Sequence, residues 1–170
     1  DLWARIRAFP KPLIAAVDGF ALGGGFELAL MADAMVLGAT ARVGLPETNL
    51  GILPGAGGGQ RLLAQVGRAR ASRMVLTGEI IDAATALAWG IAAWGADGPA
   101  LPMAETLAET FAKRAPLALA AAKRALVAGD ETRLDLAGER ARFEALLDTA
   151  DKREGIAAFR ERRRPVFRGE

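Results

Sequence analysis

Short apolar runs closed by proline or glycine occupy the first half of this chain, and long stretches of helical periodicity fill the second. Leu2, Trp3, Ile6 and Phe9 recur at helical spacing until Pro10 and Pro12 interrupt it, which predicts the end of a helix. Leu13 to Val17 is an unbroken apolar run between Pro12 and Asp18-Gly19, the pattern of a buried strand. After Gly23-Gly24-Gly25 the residues from Phe26 to Ala34 favour a helix. Met35 to Leu37 predicts a second short strand and Ala41 to Gly44 a third. A Gly- and Pro-rich loop runs from Leu45 to Gly59. Helices are then predicted over Gln60–Val66 and Ala71–Leu76, from Asp82 as cap to just before Gly90, over Pro102–Arg114, Pro116–Ala128 and Thr132–Thr149, and from an Asp151/Glu154 capping box towards Arg163. Strands first and helices later describe an α/β domain with a helical C-terminal part. The division falls between residues 1–98 and 99–170.

At 170 residues the chain is long enough for one domain with a real core, and 52% hydrophobic against 25% charged residues is a globular balance. Two absences narrow the chemistry. With no Cys there is neither a disulfide framework nor a thiolate metal site, and with no His there is no Ser-His-Asp or Cys-His machinery and no imidazole ligand. Reactivity has to come from carboxylates, Lys, Arg, hydroxyls or the backbone. Net charge is +2, with Arg160, Arg162, Arg163, Arg164 and Arg168 gathered at the end. Such a run is read first as a solvated helix face and second as an anion contact. Asp18, Glu27 and Asp33 break up the most apolar stretch, so no membrane span is expected.

Three constellations could carry chemistry. In Ala21-Leu22-Gly23-Gly24-Gly25-Phe26-Glu27, three glycines between a strand and a helix let the backbone turn sharply and bring N–H groups up to a negative oxygen, although a tight turn needing glycine only for packing accounts for them equally well. Glu27 in the first helical turn and Glu47, held by Pro46 in a loop, form a carboxylate pair. If the fold brings them to one cleft, one can take a proton from water while the other supplies one to carbon; a dipole-complementing Glu and a solvated loop Glu are the plainer alternatives. The third is Gly51-Ile52-Leu53-Pro54-Gly55-Ala56-Gly57-Gly58-Gly59-Gln60-Arg61-Leu62, a loop dense in glycine where backbone must approach something closely. Neither glycine run satisfies the P-loop or dinucleotide pattern.

In their order these residues resemble the crotonase superfamily, and within it the enoyl-CoA hydratases. Pro12 to Gly25 with Glu27 is similar to the first family signature, Leu45-Pro46-Glu47 with Gly51 to Gly58 to the second, Leu76-Thr77-Gly78-Glu79 with Ala83, Ala86 and Gly90 to the next block, and Asp151 to Phe159 to the closing helix. The stretch Ala88 to Gly95 departs from the usual wording while keeping Gly90. The resemblance implies a crotonase-like (ClpP/crotonase) α/β spiral core with a helical C-terminal trimerisation region, N-terminally incomplete. The family's early strands, second oxyanion donor and much of the CoA pocket are expected upstream, and the chain is not expected to be competent alone.

The same resemblance implies reversible hydration of a trans-2-enoyl-CoA. The backbone N–H of Gly24 would be one oxyanion donor, with Gly23 beside it. Glu27 would help activate water and Glu47 would exchange the proton at the α-carbon. Gly55 would lie beside the water and acyl group, Phe143 and Phe159 near the adenine end of CoA, and Arg162 at a CoA phosphate. No metal or separate cofactor is implied, since CoA is part of the substrate. A homotrimer or dimer of trimers is expected, with no nucleic-acid or membrane partner and a cytoplasmic location, a mitochondrial matrix origin being the alternative. Another crotonase-type acyl-CoA enzyme, such as an isomerase, and a non-catalytic acyl-CoA-binding homologue are the competing functions.

Overall fold

The computed structural model describes residues 2–131 and 136–168. Helix α1 (Leu2–Arg7) leads into strands β1 (Ile14–Val17) and β2 (Phe20–Leu22), helix α2 (Gly24–Ala29), strands β3 (Ala34–Leu37) and β4 (Arg42–Gly44), and a 3-10 helix (Pro46–Leu50). Helix α3 (Gly58–Thr77), strand β5 (Ile80–Asp82), helix α4 (Ala83–Trp89) and strand β6 (Trp94–Gly95) follow. Helices α5 (Leu101–Ala112), α6 (Pro116–Glu131), α7 (Leu136–Leu146) and α8 (Ala150–Glu161) complete the order.

Two small sheets result. In the first, β3 lies between β1 and β6 and all pairs are parallel; Ile14 faces Ala34 and Val17 faces Leu37. In the second, β4 pairs parallel with β2 and antiparallel with β5, so that Leu22 stands opposite Gly44. β3 is buried along its whole length, as a strand covered on both faces must be. Phe26, Leu37, Val43, Leu45, Leu62 and Met74 are fully enclosed and form the centre of the core, while Val36, Ala100 and Ala104 make a second cluster where α5 packs on β1 and β3. An open apolar groove of about 850 Å³ runs along α1, β1 and α2 past Phe9, Phe20 and Gly25; neither Glu27 nor Glu47 lines it. Among the described residues, no helix is long and apolar enough to cross a membrane.

Several elements depart from the sequence expectation, each for a tertiary reason. The helix expected to reach Ala34 stops at Ala29, because the amides of Asp33 and Ala34 donate to the Leu13 carbonyl and begin the parallel pairing of β3 with β1. Strands β2, β5 and β6 have three, three and two residues; too short to show a period, they exist because a partner strand is present. The loop from Leu45 to Gly59 contains the 3-10 helix. The two helices expected after it are longer than predicted and join at Gly67, whose φ of 73° and ψ of 169° are not helical. Asp82 caps α4 as expected, accepting from the Thr85 amide, and Gly90 closes it in the left-handed conformation. The start expected at Thr132 lies outside the described residues, and α7 ends at Leu146.

The final helix is capped by Thr149, whose hydroxyl accepts from the Lys152 amide, and not by an Asp151/Glu154 box. Those two acids hold the tail instead. Both Glu154 oxygens accept from the Arg163 guanidinium at 2.6 and 2.8 Å, Glu154 also accepts from the Val166 amide, and Asp151 accepts from the Arg168 amide. On its inner side α8 lies so close to the 3-10 helix that a Cβ on Gly155 would stand 2.6 Å from the Leu50 carbonyl carbon. The helical region is tied back to the sheets by ionic contacts that have no sequence signature. Lys123 on α6, 7% exposed, donates to Asp33 at 2.7 Å and to the Lys11 carbonyl at 2.9 Å, while Asp33 also accepts from the Leu13 amide. The carboxylate of Asp18 accepts from the Ala100 amide at the start of α5.

Replacing Lys123 by Met removes the donor from a carboxylate and a carbonyl together, and should lower stability by about 1–3 kcal/mol, measured by denaturant unfolding. The tail contact should depend on pH. The Arg163 guanidinium, and after it the Val166 amide, hold the Glu154 carboxyl at about 2 against an ordinary 4.5. A depressed carboxyl stabilises fully above its unfolded value and loses that contribution as pH falls through its folded one. The Val166 amide resonance should therefore stay in its docked position at neutral pH and shift between those two values. At neutral pH, Glu154→Gln should speed tryptic cleavage after Arg162 and Arg163.

Candidate active site

The site is built where β2 hands over to α2. One residue past the strand, the Gly23 amide donates to the Gly44 carbonyl at 3.0 Å, so β2 and β4 stay paired up to the turn. Gly23 itself takes φ 54° and ψ −129°, a conformation open to glycine and costly for other residues. The chain then enters α2 immediately. The amides of Gly24, Gly25 and Phe26 stand in the first turn, ahead of any intrahelical acceptor, and the first closed turn is the Glu27 amide donating to the Gly23 carbonyl at 2.9 Å.

From α2 the Glu27 side chain runs inward and is 4% exposed. Its Oε1 accepts from the amides of Ala56 and Gly58 at 2.8 and 2.9 Å. A buried carboxylate must be compensated, and here two amides of the glycine loop, those of Ala56 and Gly58, do it. The approach is so close that a Cβ on Gly58 would lie 2.6 Å from Glu27 Cγ. That explains why the loop carries glycine at this position.

Glu47 arrives from the other side. Pro46 starts the 3-10 helix, Gly51 ends it in the left-handed conformation, and Thr48 fastens it to α3 by donating to the Val75 carbonyl. Glu47 is 8% exposed, and its Oε1 lies 3.2 Å from where a Cβ on Gly23 would be. The two glutamates, 20 positions apart in sequence, thus meet at one glycine: Glu47 through its carboxylate, Glu27 through its backbone amide. Two buried carboxylates, one against the Gly23 turn and one on the helix that follows it, are groups suited to moving protons, and the amides of the first helical turn are candidate backbone donors.

Of the other expected residues, Gly55 lies in the loop that supplies the Ala56 and Gly58 amides. The ring of Phe143 on α7 packs against it, with ring carbon Cγ 2.5 Å from a Cβ placed there, and the Arg140 guanidinium lies over that ring at 5.4 Å from its centre. Phe143 therefore touches the glycine expected beside the acyl group. Phe159 and Arg162 are not drawn into the buried cluster. Phe159 is 75% exposed near the end of α8, and Arg162 is the exposed residue that terminates it, at φ 55°. Among the described residues no group of three or more acidic side chains is placed to hold a metal ion.

One residue of the glycine-rich constellation has a place in the site that the sequence does not assign. Arg61, in the first turn of α3, is 5% exposed and donates to the Ala56 carbonyl at 2.7 Å. Its mark in the sequence is a cation set directly before the buried Leu62. The Ala56 and Gly58 amides had no signal at all, since backbone groups leave no mark in the sequence.

Comparison with known proteins finds relatives along the whole chain. A family model described as enoyl-CoA hydratase/isomerase matches residues 1–170. The 2,3-dehydroadipyl-CoA hydratase of Escherichia coli K12 is 52% identical over 173 residues, an alignment covering 99% of this chain and 68% of that protein. Among solved structures, a carnitinyl-CoA hydratase from Mycobacterium avium superposes with a TM-score of 0.88 at 38% identity, over 97% of this chain and 66% of that one. An enoyl-CoA hydratase from Mycobacterium avium subsp. paratuberculosis K-10 gives 0.92 at 33%, over 98% and 69%. The chain spans about two thirds of the length of these relatives, and it shares their crotonase fold.

The fit between Glu27 and the glycine loop can be tested by adding one methyl group. Gly58→Ala should cost about 1–3 kcal/mol by overpacking, read from thermal unfolding. Its crystal structure should show Glu27 displaced from the Ala56 amide.

Proposed function

The chain belongs to the enoyl-CoA hydratase/isomerase family, and on that premise we propose that it adds water reversibly across a trans-2-enoyl-CoA to give a 3-hydroxyacyl-CoA. What supports this reading is a pair of buried glutamates, Glu47 with its carboxylate against the Gly23 turn and Glu27 on the helix that this turn opens. Glu27 accepts a proton from water as the water oxygen bonds to the β-carbon. Glu47 delivers a proton to the α-carbon. Between these events the thioester oxygen carries the negative charge of an enolate, and the Gly24 amide stabilises it as one preorganised donor. The carboxylate of Glu27, fixed by two amides, is oriented before substrate arrives, so little of the barrier is spent on arranging it. After each forward turnover Glu27 releases its proton to solvent and Glu47 takes one up, which restores both for the next cycle.

Retaining both carboxylates favours hydration over double-bond isomerisation, which needs one group to move a single proton between carbons. Gly23 and Gly55 belong to the acyl side, where Phe143 also packs. Phe159 and Arg162 supply an exposed aromatic ring and cation for the adenine and phosphate end. CoA is part of the substrate, and no separate cofactor takes part. Assembly as a trimer or dimer of trimers goes with this function, and Leu117 and Leu126, 85% and 76% exposed on α6, are apolar surface that such contacts would cover. A cytoplasmic location completes the proposal.

The test is turnover by the intact gene product across a panel of enoyl-CoA thioesters, including 2,3-dehydroadipyl-CoA and a 3-enoyl-CoA. Hydration of trans-2 substrates should dominate, and Glu47→Gln should lower kcat by about 10²–10⁴-fold. Undiminished turnover in that variant would remove Glu47 from its role. Tight acyl-CoA binding without any turnover would identify a binding protein instead.

A further inference from the structure

Arg61 is an expensive residue in its place. It sits in the first turn of α3, where the helix dipole is already positive, and it is 5% exposed. A cation there opposes the dipole and loses hydration, so the start of the helix gains nothing from it. Its guanidinium turns back to the loop and donates to the Ala56 carbonyl at 2.7 Å. The amide of that same residue donates to Glu27 Oε1 at 2.8 Å, and the Gly58 amide donates to the same oxygen at 2.9 Å. Ala56 is therefore gripped from both its polar groups, with the cation on one and the carboxylate on the other.

We infer that Arg61 is a positioning residue for the hydration proposed above, acting on Glu27 through Ala56. The loop between Gly51 and Gly58 contains four glycines and little side-chain packing of its own, so its amides have no intrinsic reason to converge on one oxygen. Anchoring the Ala56 carbonyl removes the rotation that would carry its neighbouring amides away from Glu27. It also gathers those donors around the carboxylate in a buried setting, where charge-assisted bonds are strongest. The consequence for chemistry is orientation of the water-activating oxygen. Substrate affinity, which other groups provide, is left nearly untouched.

The experiment compares Arg61→Met and Arg61→Lys with the unaltered intact protein, reading steady-state kinetics, thermal midpoint and NMR amide exchange at Ala56 and Gly58. Arg61→Met, which keeps the volume and loses the donor, should lower kcat by about 10²-fold, since displacement of a reacting group by an ångström has that effect. KM should change by less than about threefold, the pattern of an interaction that matters in the transition state. The two amides should exchange at least about tenfold faster, as local opening becomes easier. Arg61→Lys, which keeps a cation within reach of the carbonyl, should fall between the two in kcat and in exchange.

A folded Arg61→Met protein with native kcat and native exchange overturns the inference. So does a loss of activity in both variants that follows their thermal midpoints while Ala56 and Gly58 stay protected. Should Arg61→Met fail to fold, the Lys variant decides by the same three readings. If the unaltered protein hydrates no enoyl-CoA, the proposed function fails, and the exchange rates still decide whether Arg61 holds Ala56 against Glu27.

Discussion

A buried carboxylate that takes two backbone amides on one oxygen is the contact around which this site is organised. Leaving the charge of Glu27 enclosed without donors would cost several kcal/mol, and each charge-assisted amide bond returns about 1.5–3 kcal/mol. The donors are Ala56 and Gly58, and meeting them demands that helix α3 begin directly against α2 with no Cβ between. From that single requirement follow the glycine at position 58, the path of the preceding loop and the inward direction of the Glu27 side chain. A site of this kind resists change at its backbone as much as at its side chains.

Sheet register supplies the second half. Because Leu22 pairs with Gly44, the residue after each strand lies at the same end of the sheet, and the two turns that follow are neighbours. One turn becomes α2 and carries Glu27; the other becomes the 3-10 helix and carries Glu47. A shift of β2 against β4 would move one turn along the other, so the hydrogen bonds of two three-residue strands set where Glu47 meets the Gly23 turn. The surrounding helices then keep those short strands in place. Thr48 is tied to Val75 on α3, Gly155 brings α8 against Leu50, and Asp18 holds the start of α5.

Relatives with hydratase names share the fold over about two thirds of their own length. This chain holds within its own residues both carboxylates and the glycine turn between them. Arg61 adds a layer beneath the candidate carboxylates: a buried cation that holds the loop whose amides reach Glu27. Phe143 shows the same dependence on packing from the opposite direction, since its ring closes over Gly55 from a helix more than 80 positions away in sequence.

Much of the architecture was legible from local pattern. The apolar run from Leu13 to Val17, the cap at Asp82, the stop at Gly90 and the break between two helices near Gly67 all follow from steric and hydrogen-bonding preferences that act within a few residues. The candidate carboxylates and glycines were legible too, because their chemistry and spacing resemble a known succession of motifs. Strands β2, β5 and β6 were not, nor was the early end of α2, since two or three residues carry no period and adopt extended form only when a partner offers its carbonyls. The cap of α8 moved to Thr149 because Asp151 and Glu154 had stronger partners in the tail. Above all, that the Glu47 carboxylate reaches the Gly23 turn ahead of the helix carrying Glu27, and that the Ala56 amide and Arg61 stand behind Glu27, are facts about elements distant in sequence. Sequence determines which groups are present and which local turns they prefer; only burial and strand register, which are properties of the whole fold, decide which of those groups share a site.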